Sequence, residues 1–208
     1  MARSNGRMAG VLFLVASAQF ILGLVVAEAS YSGYSIADNY ISDLGVGPSS
    51  MAFNSSAFLF GVLSLIGAYF LPRTVDFRSL TVLLILMAIG AIGVGIFTSA
   101  FTTIHGIVSL MAFGFGGLSA IASFQVSKPP LSAISVILGA ITLGALALFA
   151  GGLVTTGSLT SSEPPASEFF LGIGPGGMER IIAYPALIWL TLFSGHLITL
   201  SEKQETLK

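Results

Sequence analysis

Cysteine is absent from the 208 residues, which excludes structural disulfides, thiolate metal ligands and cysteine nucleophiles together. Charge is nearly absent too: Asp, Glu, Lys and Arg make up 8% of the chain, against roughly 25% in a soluble globular domain. The formal net charge is -1 and no basic run is long enough to follow a phosphate backbone, so nucleic acid is not an expected partner. The two histidines, His105 and His196, fall at opposite ends of their helices, which excludes a multi-histidine metal site. One histidine with several carboxylates would suit only a hard or borderline ion. No metal and no cofactor is expected. The chain also lacks a G-x-S-x-G nucleophile motif and a nucleotide loop, so an enzymatic reading has no positive signature.

What is abundant is apolar sequence, 54% of residues at a mean hydropathy of +0.95. Six stretches free of Asp, Glu, Lys and Arg run approximately over 8–27, 51–71, 80–97, 105–124, 131–154 and 181–200, each near the 20 apolar residues that cross a hydrocarbon core. They predict an all-α polytopic membrane protein, a six-helix transmembrane bundle forming one domain over 1–208. "MARSNGR" and Ala27-Glu28-Ala29 resemble the ends of a signal peptide. The apolar run between them exceeds the 7 to 15 residues of a signal-peptide core, so a retained helix is expected.

Arg3, Arg7, Arg73, Arg78, Lys128, Lys203 and Lys208 all fall on one side of a six-helix path. The positive-inside rule makes that side, with both termini, cytoplasmic in the cell membrane. Arg180 is the one basic residue opposite, in company with Glu28, Asp38, Asp43, Glu163, Glu168 and Glu179. Cytoplasmic connections are short, as expected of antiparallel helical hairpins. The glycines of helices three to five (Gly90, Gly93, Gly95, Gly114, Gly116, Gly117, Gly139, Gly144, Gly151 and Gly152) read as close helix packing.

On the outer side two strings are nearly the same, "LGVGPSSM" over 44–51 and "LGIGPGGM" over 171–178. Each reads as a helix start, with Pro48 or Pro175 at the first helical position and Gly45, Gly47, Gly174 and Gly176 allowing close approach. Side by side, the two sets of unpaired amides would hold an anion such as a lipid phosphate or a carboxylate; alternatively they are helix caps. Glu179 and Arg180 stand at the edge of an apolar span, where an unpaired charge is costly, so Arg180 is expected to bridge Asp43 or Asp38. That bridge is either a clamp between outer loops or the base of a ligand site, with His105 in the same layer. Asn54, Ser55 and Ser56, one turn below the first glycine loop, are expected at the floor of such a pocket or in interhelical hydrogen bonds. Pro185 should kink the sixth helix, Tyr184 and Trp189 should anchor its outer half, and Tyr31, Tyr34 and Tyr40 read as interface aromatics. "TTGSLTSSEPPASE" reads as a flexible outer loop. Ionisable groups are missing at mid-depth, which argues against a proton-coupled pump or charged pore.

"DNYISDLGVGPSSMAFNSS", "IHGIVSLMAF" and "GIGPGGMERIIAYPALIW" together resemble the family catalogued as domain of unknown function 998, with the Asp-Leu-Gly and Gly-Met-Glu-Arg elements the specific ones. The resemblance runs from the first helix to the last. It implies a six-helix bundle in the cell membrane, distantly like the Frag1/DRAM/Sfk1 group, and no established activity. Members often carry an acid in the turn before the histidine, and "FTSAFTTIH" has none.

Two functional classes follow. The first is a binding or accessory membrane protein whose outer polar site or clamp (Asp38, Asp43, Gly45, Gly47, Asn54, His105, Gly174, Gly176, Glu179 and Arg180) holds a membrane lipid headgroup, another anion, a membrane-protein partner or a second copy. The second is a membrane-interface hydrolase or transferase, with His105 or Asp43 as general base and Arg180 stabilising charge. The lack of an enzymatic signature ranks it behind the first.

Overall fold

The computed structural model describes residues 2–71, 77–155 and 167–206. It contains six long α-helices: α1 Ala2–Ser30, α2 Ser50–Phe70, α3 Arg78–Ile96, α4 Thr102–Ala122, α5 Leu131–Thr155 and α6 Gly174–Thr206. All six are long and apolar enough to cross a membrane, and no strand occurs among the described residues. In hydrocarbon a backbone must satisfy its own hydrogen bonds, and a helix does so within one segment. The shortest, α3, has 19 residues and is about 28 Å long, close to the thickness of the apolar layer. Arg73, Lys208, Glu163 and residues 156–166 of the Ser/Thr/Pro-rich tract lie outside the described residues.

Each helix packs on its neighbours in the chain, and α6 closes the ring against α1. The end of α1, the end of α3 and the starts of α2, α4 and α6 meet at one end, where Ser99 Oγ donates to the Ser42 carbonyl (3.3 Å). We call this the glycine-loop end. The other end gathers the first turns of α1 and the last of α6, where a Cβ on Gly10 would come within 2.7 Å of the Ser194 carbonyl. His196 belongs there too, 3.4 Å from the Val126 carbonyl.

Close backbone approach holds the ring together, because apolar side chains gain little from leaving lipid for protein. A Cβ on Gly90 would lie 2.5 Å from the Ala112 nitrogen, and one on Gly139 would lie 2.6 Å from the Gly117 carbonyl. The packing expectation is met at Gly93, Gly95, Gly117 and Gly152 as well. It fails at Gly144 and Gly151, which face open space, while Gly114 and Gly116 have only ordinary contacts nearby. Polar bonds add register. Thr191 Oγ1 donates to Ser17 Oγ at 3.0 Å, Gln19 Nε2 to the Ser56 carbonyl at 3.0 Å and Trp189 Nε1 to Ser123 Oγ at 2.9 Å.

Two expectations need correction. The sixth helix starts at Gly174 rather than Ile181, so Glu179 and Arg180 belong to its second turn and Pro185 lies well inside it. Trp189 is not an interface anchor: it is fully buried and stacks on Phe193 with centroids 5.6 Å apart, because its face of α6 points into the bundle.

Candidate functional site

The segment between α1 and α2 folds back over the helix ends and is held by short-range bonds. Ser35 Oγ donates to Asp38 Oδ2 (2.6 Å), and the Tyr40 amide donates to Asp43 Oδ2 (2.9 Å), which fixes the short helical turn Ile41–Gly45. Both aspartates therefore serve their own loop. Asn54 Nδ2 reaches up from α2 to the Gly45 carbonyl (2.9 Å), tying that turn to the helix below.

Arg180 does not bridge Asp38 or Asp43. Its Nη2 pairs with Glu28 Oε1 in the last turn of α1 at 2.5 Å and donates to the Tyr34 hydroxyl at 2.9 Å. Its Nη1 donates to the carbonyls of Ile36 (3.0 Å) and Gly176 (2.9 Å). The reason is the early start of α6. It carries Arg180 alongside the end of α1, whereas Asp38 sits exposed and Asp43 is occupied by its loop. The result is a clamp of α1, α6 and the intervening loop, with Arg180 buried and Glu28 partly exposed at its edge. Burial pushes the Tyr34 hydroxyl above its ordinary pKa, against the pull of the Arg180 hydrogen bond.

Both glycine strings contain a helix start, α2 at Ser50 and α6 at Gly174, but neither places its proline first in the helix and the two differ in conformation. In the second, Gly172 and Gly174 adopt φ of +75° and +76°, left-handed values suited to glycine; neither Gly45 nor Gly47 does so. Pro175 lies in the first turn of α6, while Pro48 precedes the start of α2 at Ser50. One first-turn amide of α6 is covered as well. Gly176 donates its N–H to the Ala37 carbonyl at 2.9 Å, and a Cβ there would collide with the Asn39 and Ile36 carbonyl oxygens. Gly47 instead packs on the Tyr31 ring and Gly45 beside Asn54. The open anion cradle imagined from the two strings is therefore absent from the described residues, since separate parts of the loop fill each helix start.

Glu179, one residue before Arg180, belongs to a different structure. Its Oε2 accepts the N–H of Ile41 (2.5 Å) and of Ser42 (3.4 Å), and the residue lines an interior cavity with His105, Ser42 and Ser109. The cavity is partly open, with a volume of about 70 Å³. Below this polar rim its walls are apolar, built from Phe20 of α1, Phe53 and Phe60 of α2, Met87 of α3 and Leu187 and Leu190 of α6. On α4 the lining residues are His105, Ser109, Ala112, Phe113 and Gly116, and on α6 they are Glu179, Ala183, Ala186, Leu187 and Leu190. The two sets share the same spacing, one stripe of a helix. Asn54, Ser55 and Ser56 are not on the floor: Asn54 bonds the loop, and Ser55 bonds its own helix at the Met51 carbonyl.

His105 Nδ1 lies 2.7 Å from the Phe97 carbonyl. A carbonyl only accepts, so this nitrogen carries the hydrogen, and in a neutral ring Nε2 is left as an acceptor. Tyr40, above Glu179, sets its ring edge-on to Phe149 at 6.0 Å. Burial and then the charges of Glu179 and Asp43 push its hydroxyl up to about 12. No group of three His, Cys, Asp or Glu close enough to hold a metal ion occurs among the described residues.

Sequence reasoning had thus grouped His105 and Glu179 in one outer polar site, but together with Asp38, Asp43 and Arg180, which do not line the cavity, and without Glu28, Tyr34, Ser42 or Ser109. Glu28 was visible as an acid in the last turn of α1. Ser109 was visible four residues after His105 on one helical face.

Residues 14–196 match the family model described as "Protein of unknown function (DUF998)", and the chain belongs to that family, as a multi-pass membrane protein. No curated protein and no solved structure matches it.

Proposed function

We propose that this protein is a lipid-binding protein of the cell membrane, taking the tail of an amphiphile into the interior cavity and meeting its head with Glu179, His105, Ser42 and Ser109. The observation that carries the reading is the convergence of these four polar groups on the mouth of a space with otherwise apolar walls. Ligand pockets have that character: an apolar lining with a few placed polar groups that fix orientation. The Glu28–Arg180 clamp is structural in this reading. It holds the segment after α1 across the helix ends, and so places the Ile41 and Ser42 amides over Glu179. The basic residues at the opposite end support cytoplasmic termini and an extracytoplasmic mouth.

The hydrolase or transferase alternative keeps one specific support, His105 in the cavity lining with Nδ1 bonded to Phe97 and Nε2 left as a base. Asp43 is committed to the Tyr40 amide and Arg180 to Glu28, and neither lines the cavity. Binding therefore ranks ahead of chemistry.

Gly116 provides the test. A Cβ there would meet Ala186 and Met87 at 3.7 Å, ordinary contact, so Gly116→Ala should fold and bind normally. Gly116→Leu sends its outer carbons into the cavity. Native mass spectrometry of protein drawn gently from its membrane should show a lipid adduct on wild type and Gly116→Ala, reduced roughly tenfold on Gly116→Leu, a loss of about 1.4 kcal/mol in affinity. Equal adducts on all three would sink the reading.

A further inference from the structure

We infer that the lipid is a neutral alcohol, an apolar chain ending in a free hydroxyl, rather than a phosphate-bearing lipid; this rests on the lipid-binding reading above and names its ligand class. The argument is the chemistry of the cavity rim. A buried phosphate needs cations or several N–H donors around it; the donors nearest the mouth are bonded elsewhere, and the Arg180 Nε, buried without a partner, belongs to a side chain that does not line the cavity.

Arg180, the nearby cation, is turned away. Its two terminal nitrogens serve Glu28, Tyr34 and the carbonyls of Ile36 and Gly176, and it does not line the cavity. The amides of Ile41 and Ser42, which lie at the mouth, both point at Glu179 Oε2. The α6 amide of Gly176 is bonded to Ala37. His105 gives its Nδ1 hydrogen to Phe97. No carboxylate among the described residues lies at ion-pairing distance from His105, so none would stabilise a second proton in so apolar a wall.

What remains at the rim is a carboxyl group, a bare imidazole nitrogen and two serine hydroxyls. Charged or neutral, the carboxyl offers no positive charge. A hydroxyl matches this set, because it donates to Nε2 or to the carboxyl and accepts from a serine in the same geometry. A phosphate would meet acceptors and a negative or neutral carboxyl instead, with its charge uncompensated. An ammonium would find Glu179 favourable, but in a phospholipid it brings the phosphate with it.

The test is a competition for the full-length protein in mild detergent, with dioleoylglycerol, dioleoyl phosphatidic acid and dioleoyl phosphatidylethanolamine at equal concentration, read by native mass spectrometry. The chains are the same, so any preference reports the head. Dioleoylglycerol should be retained at least tenfold over either phospholipid. Glu179→Gln turns an amide N–H₂ toward the rim and should narrow that ratio at least fivefold. A wild-type preference for phosphatidic acid or phosphatidylethanolamine, or no preference, would overturn the inference while leaving a lipid-binding protein. Retention of none of the three, with Gly116→Leu indistinguishable from wild type, would remove the lipid-binding reading itself. The wild-type competition decides even where Glu179→Gln does not fold.

Discussion

Replacing Arg180 by methionine keeps the aliphatic stem and removes the guanidinium, which isolates the ion pair with Glu28. The side chains of Arg180 and Glu28 are 8% and 19% exposed, so the pair is screened far less than a surface bridge. Breaking a buried pair from one side costs about 3–5 kcal/mol, mostly because the abandoned charge stays buried. Glu28 retains some contact with its surroundings, which places the expected loss for Arg180→Met at about 3 kcal/mol. That figure includes the donors withdrawn from the Tyr34 hydroxyl and from the carbonyls of Ile36 and Gly176.

The diagnostic result is the double variant. Glu28→Leu with Arg180→Met leaves no orphaned charge, so it should be more stable than Arg180→Met alone by about 2 kcal/mol, a coupling typical of residues in one network. Unfolding in mixed micelles of rising sodium dodecyl sulfate, followed by fluorescence, is a suitable assay. The chain has a single tryptophan, Trp189, fully buried and bonded to Ser123, so its emission reports the packed bundle. An Arg180→Met variant within 0.5 kcal/mol of wild type, or a double variant no better than the single one, would refute the clamp.

At neutral pH Tyr40→Phe should be within about 0.5 kcal/mol of wild type, as for most substitutions that disturb no packing or bonded group. The folded protein holds the Tyr40 proton up to about pH 12, whereas the unfolded chain releases it near 10. Wild-type stability contributed by Tyr40 is therefore present below pH 10 and lost between 10 and 12; the phenylalanine variant should lack that loss, and parallel unfolding midpoints across this range would contradict it. Gly176→Ala should cost about 3 kcal/mol, since its methyl would strike the Asn39 and Ile36 carbonyls; Gly144→Ala, in open space, should be neutral, and the pair of melting temperatures checks both. Trp189→Phe should cost about 2 kcal/mol for lost volume and the orphaned Ser123 hydroxyl, measured by thermal unfolding of the purified protein.

The six helices were legible because each apolar run is long and uninterrupted, and the bilayer admits few other backbones. Five of them start within three residues of the apolar boundary or extend it only through the N-terminal polar stretch. The start of α6 was misjudged because Gly174-Pro175-Gly176-Gly177 has a loop composition, yet Pro175 is tolerated in a first turn and Gly174 supplies the left-handed step into it. The likeness of the two glycine strings misled for a related reason. Composition alone does not report φ, and one string turns where the other does not. The Arg180 partner was missed because sequence carries no distance: Glu28 is 152 residues away, while Asp43 lay beside a string that looked like Arg180's own. The cavity was half legible, since a helical stripe through His105, Ser109, Ala112 and Gly116 can be drawn from spacing, but which helices face it depends on how the ring closes.

The separation of Glu179 from Arg180 follows from helix geometry. Successive residues of an α-helix point about 100° apart, so two neighbours at the top of α6 cannot both address the same space. Ala183, Ala186, Leu187 and Leu190 line the cavity, and Glu179 continues that face by one turn, so Arg180 must turn aside toward α1, where Glu28 meets it. Were α6 rotated by one position so that Arg180 took the place of Glu179, the guanidinium would stand in the cavity and Glu28 would lose its partner. The loop bonds reinforce the choice, because the amides of Ile41 and Ser42 donate and need an acceptor beneath them, which the Arg180 guanidinium is not. The dipeptide thus divides its two charges between a clamp and a cavity, which is why a rim so close to an arginine is left without positive charge.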